Sequence, residues 1–220
     1  MTSPLPRVGS LDWVRAIDHP ELLAAPTLAA LTRWITADPR VADEVSVAEI
    51  DPSLADTAAL TAAYGLPPAA SVNCVLIGGR RAGDERRAAA VVRATTRADV
   101  NNVIRRLLDV RKASFLATEQ ATEASGMEYG GITPLGLPAD WRVLVDSRVV
   151  GSRVVGSRVV GSRGGDAGVG DSAVGDSAVG DSDAGVVIIG SGLRRSKLAL
   201  AGALLARLPG AEVIDGLAVG

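Results

Sequence analysis

A chain of 220 residues that is 47% hydrophobic has ample material for a buried core, and its 23 Lys and Arg against 25 Asp and Glu leave a formal net charge of −2. That balance excludes a whole-molecule field able to draw in a polyanion, so any contact with nucleic acid must be local. A single cysteine, Cys74, excludes an internal disulfide framework and suits a reducing compartment. The N-terminus, MTSPLPRVGSLDWVRAIDHP, lacks the apolar stretch of a signal peptide. No uncharged apolar run approaches the roughly 20 residues of a membrane span, so a cytoplasmic chain with no membrane partner is expected.

In chain order, Glu21 to Ile35 carries Leu22, Leu23, Leu28, Leu31, Trp34 and Ile35 at mostly three- and four-residue spacings, interrupted by Pro26. This predicts one or two short helices. Asp56 to Tyr64 opens with candidate caps and stops at Gly65, a helix marked at both ends. SVNCVLIG, Ser71 to Gly78, is rich in β-branched residues, and GGRRAGDERR separates it from AAAVVRATT; two strands joined by a glycine-containing turn are expected. Asp99 caps a helix through Leu108, Ala113 to Ala117 is extended, and Thr118 to Ser125 is a helix closed by Gly126. Arg142 to Asp146 and Gly185 to Gly190 are apolar strands, Ser196 opens a last helix, LALAGALLARL, and AEVIDGL supplies a terminal strand. Strands in pairs with helices placed irregularly among them favour an α+β fold over a doubly wound one.

Between two of those strands the unit SRVVG occurs three times from Ser147, and DSAVG twice from Asp171. A period of five matches neither strand nor helix, so no face of this stretch is expected to be consistently apolar. Residues 147–183 are therefore expected to be a low-complexity insertion in a surface loop, the competing reading being a basic arm for RNA. Residues 1–44, with Trp13, Trp34 and several leucines, are expected to form a helical extension packed on the domain.

GMEYGGITPLGLPADW, Gly126 to Trp141, concentrates glycine and proline between two ordinary segments. Glycine opens backbone angles closed to other residues and proline fixes φ, so the stretch is a rigid loop whose N–H groups at Gly130 to Thr133 can face outward. Such donors suit a carbonyl oxygen, a phosphate or a developing oxyanion. From composition alone, a tight helix-to-strand connector is the preferred reading.

The order of segments is more specific than any one of them. ADTAAL, SVNCVLI, RKASF, GMEYGGITPLGLP, VLVD, VVIIGSGLRRSKLAL and PGAEVIDGL together resemble the YbaK family, homologous to the editing insertion domain of bacterial prolyl-tRNA synthetases. The resemblance covers about Val45 to Leu217, excluding the repeats, and defines a domain over 45–220. It implies a mixed, mainly antiparallel, partly barrel-like sheet with surrounding helices. It also implies hydrolysis of wrongly attached amino acids from the 3′ acceptor end of aminoacyl-tRNA, without a metal or other cofactor. A synthetase is a further partner the resemblance implies.

In that family a Gly-x-x-x-Pro motif lines the aminoacyl pocket; here it is matched by Gly130, Gly131, Ile132, Thr133 and Pro134. The water is activated largely by a ribose hydroxyl of the substrate, which fits a chain whose single histidine, His19, lies outside the matched region. Family members usually carry a Lys-Thr pair where this chain has Asn73 and Cys74, so the family lysine is replaced by Asn73. Lys197 is a candidate to supply the charge from across the site. Gly126, Tyr129, Ser191, Gly192 and Lys197 are candidate substrate-binding residues, and Arg194 and Arg195 candidate nucleic-acid contacts. Two other basic clusters, one around Arg80 to Arg87 and one from Arg105 to Lys112, could meet phosphates or be solvated surface. Two functions stay open: a free-standing deacylase acting on small or medium amino acids, and an inactive relative that binds tRNA, an aminoacyl nucleotide or a synthetase.

Overall fold

The computed structural model describes residues 4–151 and 185–220; most of the repeat segment lies outside the described residues. Strand β1 (Val14–Arg15), helix α1 (Ala25–Ala37), a turn of helix α2 (Val41–Glu44) and strand β2 (Val45–Glu49) come first. Pro26 sits in the first turn of α1, where its missing N–H costs nothing, and so opens the helix rather than interrupting it. Helix α3 (Thr57–Tyr64) follows and ends at Gly65, whose φ of +60° is the left-handed cap.

Strands β3 (Val72–Arg81) and β4 (Asp84–Arg93) form an antiparallel hairpin in continuous register from Val72↔Arg93 to Arg81↔Asp84. Positive φ at both Ala82 and Gly83 gives the two-residue connection the handedness that matches strand twist. After a short β5 (Arg97–Ala98), a helical stretch capped by the Asp99 carboxylate leads into α4 (Arg105–Leu107), then β6 (Ala113–Phe115) and α5 (Thr118–Ser125). The chain resumes with β7 (Arg142–Asp146), α6 (Ser147–Val150), β8 (Val186–Gly190), β9 (Ser196–Ala201), α7 (Gly202–Leu205), β10 (Ala211–Ile214) and β11 (Ala218–Val219).

The strands form a sheet of order β1-β2-β9-β8, a second of order β10-β7-β4-β3-β6, and the pair β11-β5. Most pairings are antiparallel; β7 runs parallel to both β4 and β10. A parallel bridge from Ser71 to Ile188 joins the two larger sheets at the entry to β3, giving the mixed, partly barrel-like architecture expected. Val47 and Leu198 of one sheet meet Val91 and Val145 of the other in a core that also takes Leu31 and Trp34 of α1. Burying these side chains contributes roughly 1.5–3 kcal/mol each relative to exposure. A second core lies beneath the α4 segment, where Ile104 and Leu108 pack on Ile77, Ala90 and Leu144. The segment before Val45 thus shares the main core and adds a strand, β1, paired as Val14↔Val47.

Two expectations are overturned. The stretch opened by Ser196 is not a helix: β9 runs between β2 and β8, and only Gly202–Leu205 is helical. Ser196 to Leu200 are all buried, so the alternation that marks a half-exposed strand is missing, and pairing on both edges overrides the helix preference of Ala and Leu. The first SRVVG unit is also not surface insertion. Ser147–Val150 is a helical turn with Val149 and Val150 buried in the main core, because a single unit need satisfy only one turn of helix. Asp146, itself 1% exposed, accepts hydrogen bonds from the N–H of Arg148 (2.9 Å) and of Ala218 (2.8 Å), tying this turn to the C-terminal strand.

Candidate functional site

The Gly/Pro loop leaves α5 at Gly126, whose φ of +67° terminates that helix. It then runs along the β8–β9 turn. The Gly131 carbonyl accepts from Gly192 N–H at 2.7 Å, and the Glu128 carbonyl accepts from Gly131 N–H at 2.9 Å. A Cβ on Gly131 would lie 2.5 Å from the carbonyl carbon of Leu193, so the residue is glycine to let two backbones touch. Behind the loop, Ala24 N–H donates to the Ser191 carbonyl at 3.2 Å, and Gly136 packs on the backbone of Pro26 and Thr27. The start of α1 is the support of the site.

Beside this loop is a cavity of about 290 Å³, walled by Gly130 and Ile132, by Asn73 and Cys74 of β3, by Ile189 and Gly190 of β8, by Lys197 of β9 and by Thr57 and Leu60 of α3. This is near the lower end of small-ligand pockets. Of the four loop N–H groups, that of Gly131 is used by Glu128, and that of Thr133 faces the Met127 sulfur at 3.4 Å. Those of Gly130 and Ile132 have no hydrogen-bond partner among the described residues. These two remain as donors at the cavity wall.

Lys197 is 6% exposed, and its ammonium donates to the Gly130 carbonyl at 2.7 Å. Burial, and then the nearby Arg194 guanidinium, bring its pKa down to about 8, with Asp56 acting in the opposite direction. The Asn73 Oδ1 accepts from the Thr57 hydroxyl at 3.3 Å, which leaves the amide NH2 as the donor Asn73 can offer. Cys74 also borders the cavity, but burial pushes its thiol up to about 12, so it is not a nucleophilic thiolate at neutral pH. At the cavity edge the Arg194 guanidinium stands 5.7 Å from the ring centroid of Tyr129, which is 58% exposed.

Of the residues singled out in the sequence, Asn73, Tyr129, Gly130, Ile132 and Lys197 line this cavity. Gly126, Gly131, Thr133, Pro134, Ser191 and Gly192 do not; they build the loop from behind. Ser191 is fully buried and its hydroxyl pairs with that of Ser196 at 2.7 Å, while a Cβ on Gly192 would strike Thr27 at 2.6 Å. Arg194 and Arg195, adjacent in the β8–β9 turn, point apart: Arg194 packs on Tyr129, whereas Arg195 donates to the Glu21 carbonyl at 2.6 Å beside a second cavity that His19 also lines. Sequence reasoning missed Thr57, Leu60 and Ser71. The Ser71 Oγ is buried, borders the cavity and has no partner among the described residues. No local pattern marks it, since its position follows from the bridge to Ile188. Among the described residues no three His, Cys, Asp or Glu side chains are grouped to hold a metal, and no helix is long and apolar enough to cross a membrane.

Residues 51–158 match the family model of the aminoacyl-tRNA editing domain, the YbaK-type domain that the order of segments resembles. Among solved structures, the hypothetical protein APE2540 superposes with a TM-score of 0.60 at 16% identity, over 86% of this chain and 99% of that one. A proposed trans-editing enzyme for prolyl tRNA synthetase gives 0.58 at 19% identity, over 87% and 98%. A scaffold protein from an epitope-backbone-grafting design gives 0.60 at 17% identity, over 89% and 99%. At these identities the likeness is one of fold. No curated protein matches the chain.

Proposed function

We propose that this protein is a free-standing deacylase that hydrolyses the ester of tRNA mischarged with a small or medium amino acid. The observation that carries the reading is the pair of unused N–H donors, Gly130 and Ile132, on the wall of a cavity of about 290 Å³. The ester carbonyl sits against these donors, which strengthen their hold as the oxygen gains negative charge. Water adds to the carbonyl carbon, the bond to the ribose oxygen breaks, and that oxygen leaves with a proton as the hydroxyl of the tRNA 3′ end. A vicinal ribose hydroxyl orients the water, so the chain itself supplies position and electrostatics. Asn73 donates to the sugar or the ester, and Lys197 stiffens the loop through the Gly130 carbonyl.

Incubating the purified protein with tRNAs carrying alanine, serine, cysteine or proline and following ester loss tests this directly. Turnover that disappears in Gly130→Ala, with the fold retained by circular dichroism, supports the deacylase. The presence of Asn73 in place of the usual family lysine favours a second reading, an inactive relative. Saturable binding of aminoacyl-tRNA with no ester loss for any of the four would establish that instead.

A further inference from the structure

The two basic clusters that are separate in the sequence form one patch in the fold. Asp109, at φ +51°, closes the α4 segment and carries ion pairs to both strands of the β3–β4 hairpin: Arg81 at 2.7 Å and Arg86 at 3.0 Å. Arg86 also donates to the carbonyls of Leu108 and Asp109, at 2.9 and 3.1 Å. One carboxylate therefore holds two guanidinium groups in the middle of a basic run: Arg105 and Arg106 precede it by a turn, and Arg111 and Lys112 follow it. A Cβ on Gly79 would lie 2.6 Å from the Lys112 carbonyl, so hairpin and segment are in backbone contact.

These six basic side chains face two acidic ones, Asp84 and Asp109, a local balance of +4 in a chain whose total is −2; the remainder carries −6. Arg81, Arg106, Arg111 and Lys112 are exposed, and the last three make no ion pair among the described residues. Eight residues of strand separate Arg81 from Asn73 at the cavity, about 26 Å at the rise of an extended chain. A duplex presents phosphates along its whole length, and double-stranded RNA is recognised mainly through phosphate and 2′-hydroxyl contacts. We propose that this patch, pinned by Asp109, seats the phosphate backbone of the tRNA duplex while the 3′ end occupies the cavity. The inference rests on the editing reading for its choice of RNA, but not on catalysis.

The test uses the full chain as wild type, as the charge reversal Arg106→Glu/Arg111→Glu/Lys112→Glu, and as the charge-keeping Arg106→Lys/Arg111→Lys/Lys112→Arg. Binding of uncharged tRNA is measured by fluorescence anisotropy against salt, and hydrolysis is measured on a short aminoacylated 3′-end fragment. The charge reversal is expected to weaken tRNA at least tenfold and to flatten the slope of log K against log salt by about 2 to 3, for three lost contacts. The charge-keeping variant retains both, and hydrolysis of the fragment is unchanged in all three. Unaltered tRNA affinity and slope in the charge reversal overturns the patch, as does wild-type protein that cleaves the fragment yet shows no salt-dependent binding of tRNA. Salt-dependent binding lost on reversal, in a protein that does not cleave the fragment, upholds the patch and fails the deacylase reading alone.

Discussion

The Lys197 ammonium donates to the Gly130 carbonyl at 2.7 Å, so a buried charge on β9 holds the turn of the Gly/Pro loop. The bond fixes the peptide between Gly130 and Gly131, in the stretch whose Gly130 and Ile132 N–H groups have no partner among the described residues. Its strength depends on protonation, and the Lys197 pKa is brought down to about 8 by burial and by Arg194. As pH rises through about 8, kcat/KM for ester hydrolysis is expected to fall in the wild type and to stay flat in Lys197→Met. Stability moves the other way. Between about 8 and the ordinary lysine value of 10.5, the unfolded chain binds more protons than the folded one, so thermal unfolding of the wild type should shift upward across that window. A pH profile identical in Lys197→Met would remove the ammonium from the mechanism.

Adjacent glycines in the loop are expected to respond differently to the same substitution. Gly130 has φ +82°, so Gly130→Ala costs about 1–2 kcal/mol of backbone strain and drives the new methyl into the Arg194 guanidinium, a side chain able to move aside. The protein should stay folded and lose turnover. Gly131 has ordinary φ, but its added methyl meets the Leu193 backbone, which cannot move without disturbing β9. Gly131→Ala should lower stability by about 1–3 kcal/mol in denaturant titration. Turnover retained in folded Gly130→Ala, or an unchanged denaturation midpoint in Gly131→Ala, would contradict this division.

Asn73 and Thr57 make a pair whose roles separate by kinetics. Removing the amide in Asn73→Ala deletes a donor to substrate and should reduce kcat/KM about tenfold, the worth of one hydrogen bond of about 1.4 kcal/mol. Thr57→Val keeps the donor and loses only the 3.3 Å bond that orients it, so a smaller loss is expected, carried by kcat. In Ser71→Ala a buried hydroxyl without a partner among the described residues disappears, and the melting temperature should hold or rise. A matching fall in melting temperature for all three would make them structural.

What could be read in the sequence was set by how locally each feature is encoded. The hairpin of β3 and β4, and the helix ends at Gly65 and Gly126, follow from β-branched runs and from glycines at positive φ, and were legible. Strand β9 was not, because burial on both faces erases alternation and leaves an alanine- and leucine-rich run that looks helical. Membership of the cavity followed from the family resemblance for Asn73, Gly130 and Lys197, since motif order carries that information. Ser191 shows the opposite: it lies next to the loop in the resemblance, yet its hydroxyl is taken by Ser196 inside the turn. Thr57, Leu60 and Ser71 reach the cavity only through tertiary pairing, as does the convergence of Arg81 and Arg86 on Asp109.

The repeat segment offers a cut whose position decides the outcome. Val149 and Val150 belong to the main core, and the Val149 carbonyl packs against Gly202, whose N–H donates to the Gly185 carbonyl at 2.5 Å. The chain leaving α6 at Gly151 is therefore close to the chain entering β8, and joining Gly151 directly to Gly185 demands little rearrangement. Deleting 152–184 should change the melting temperature by no more than a few degrees, because the entropy of closing a chain connection changes only slowly with its length. Deleting 147–184 removes two buried valines, about 1.5–3 kcal/mol each, together with the Arg148 N–H that the buried Asp146 carboxylate accepts. That variant should unfold far earlier in a thermal scan, and equal melting temperatures for the two deletions would show that α6 contributes nothing to the core.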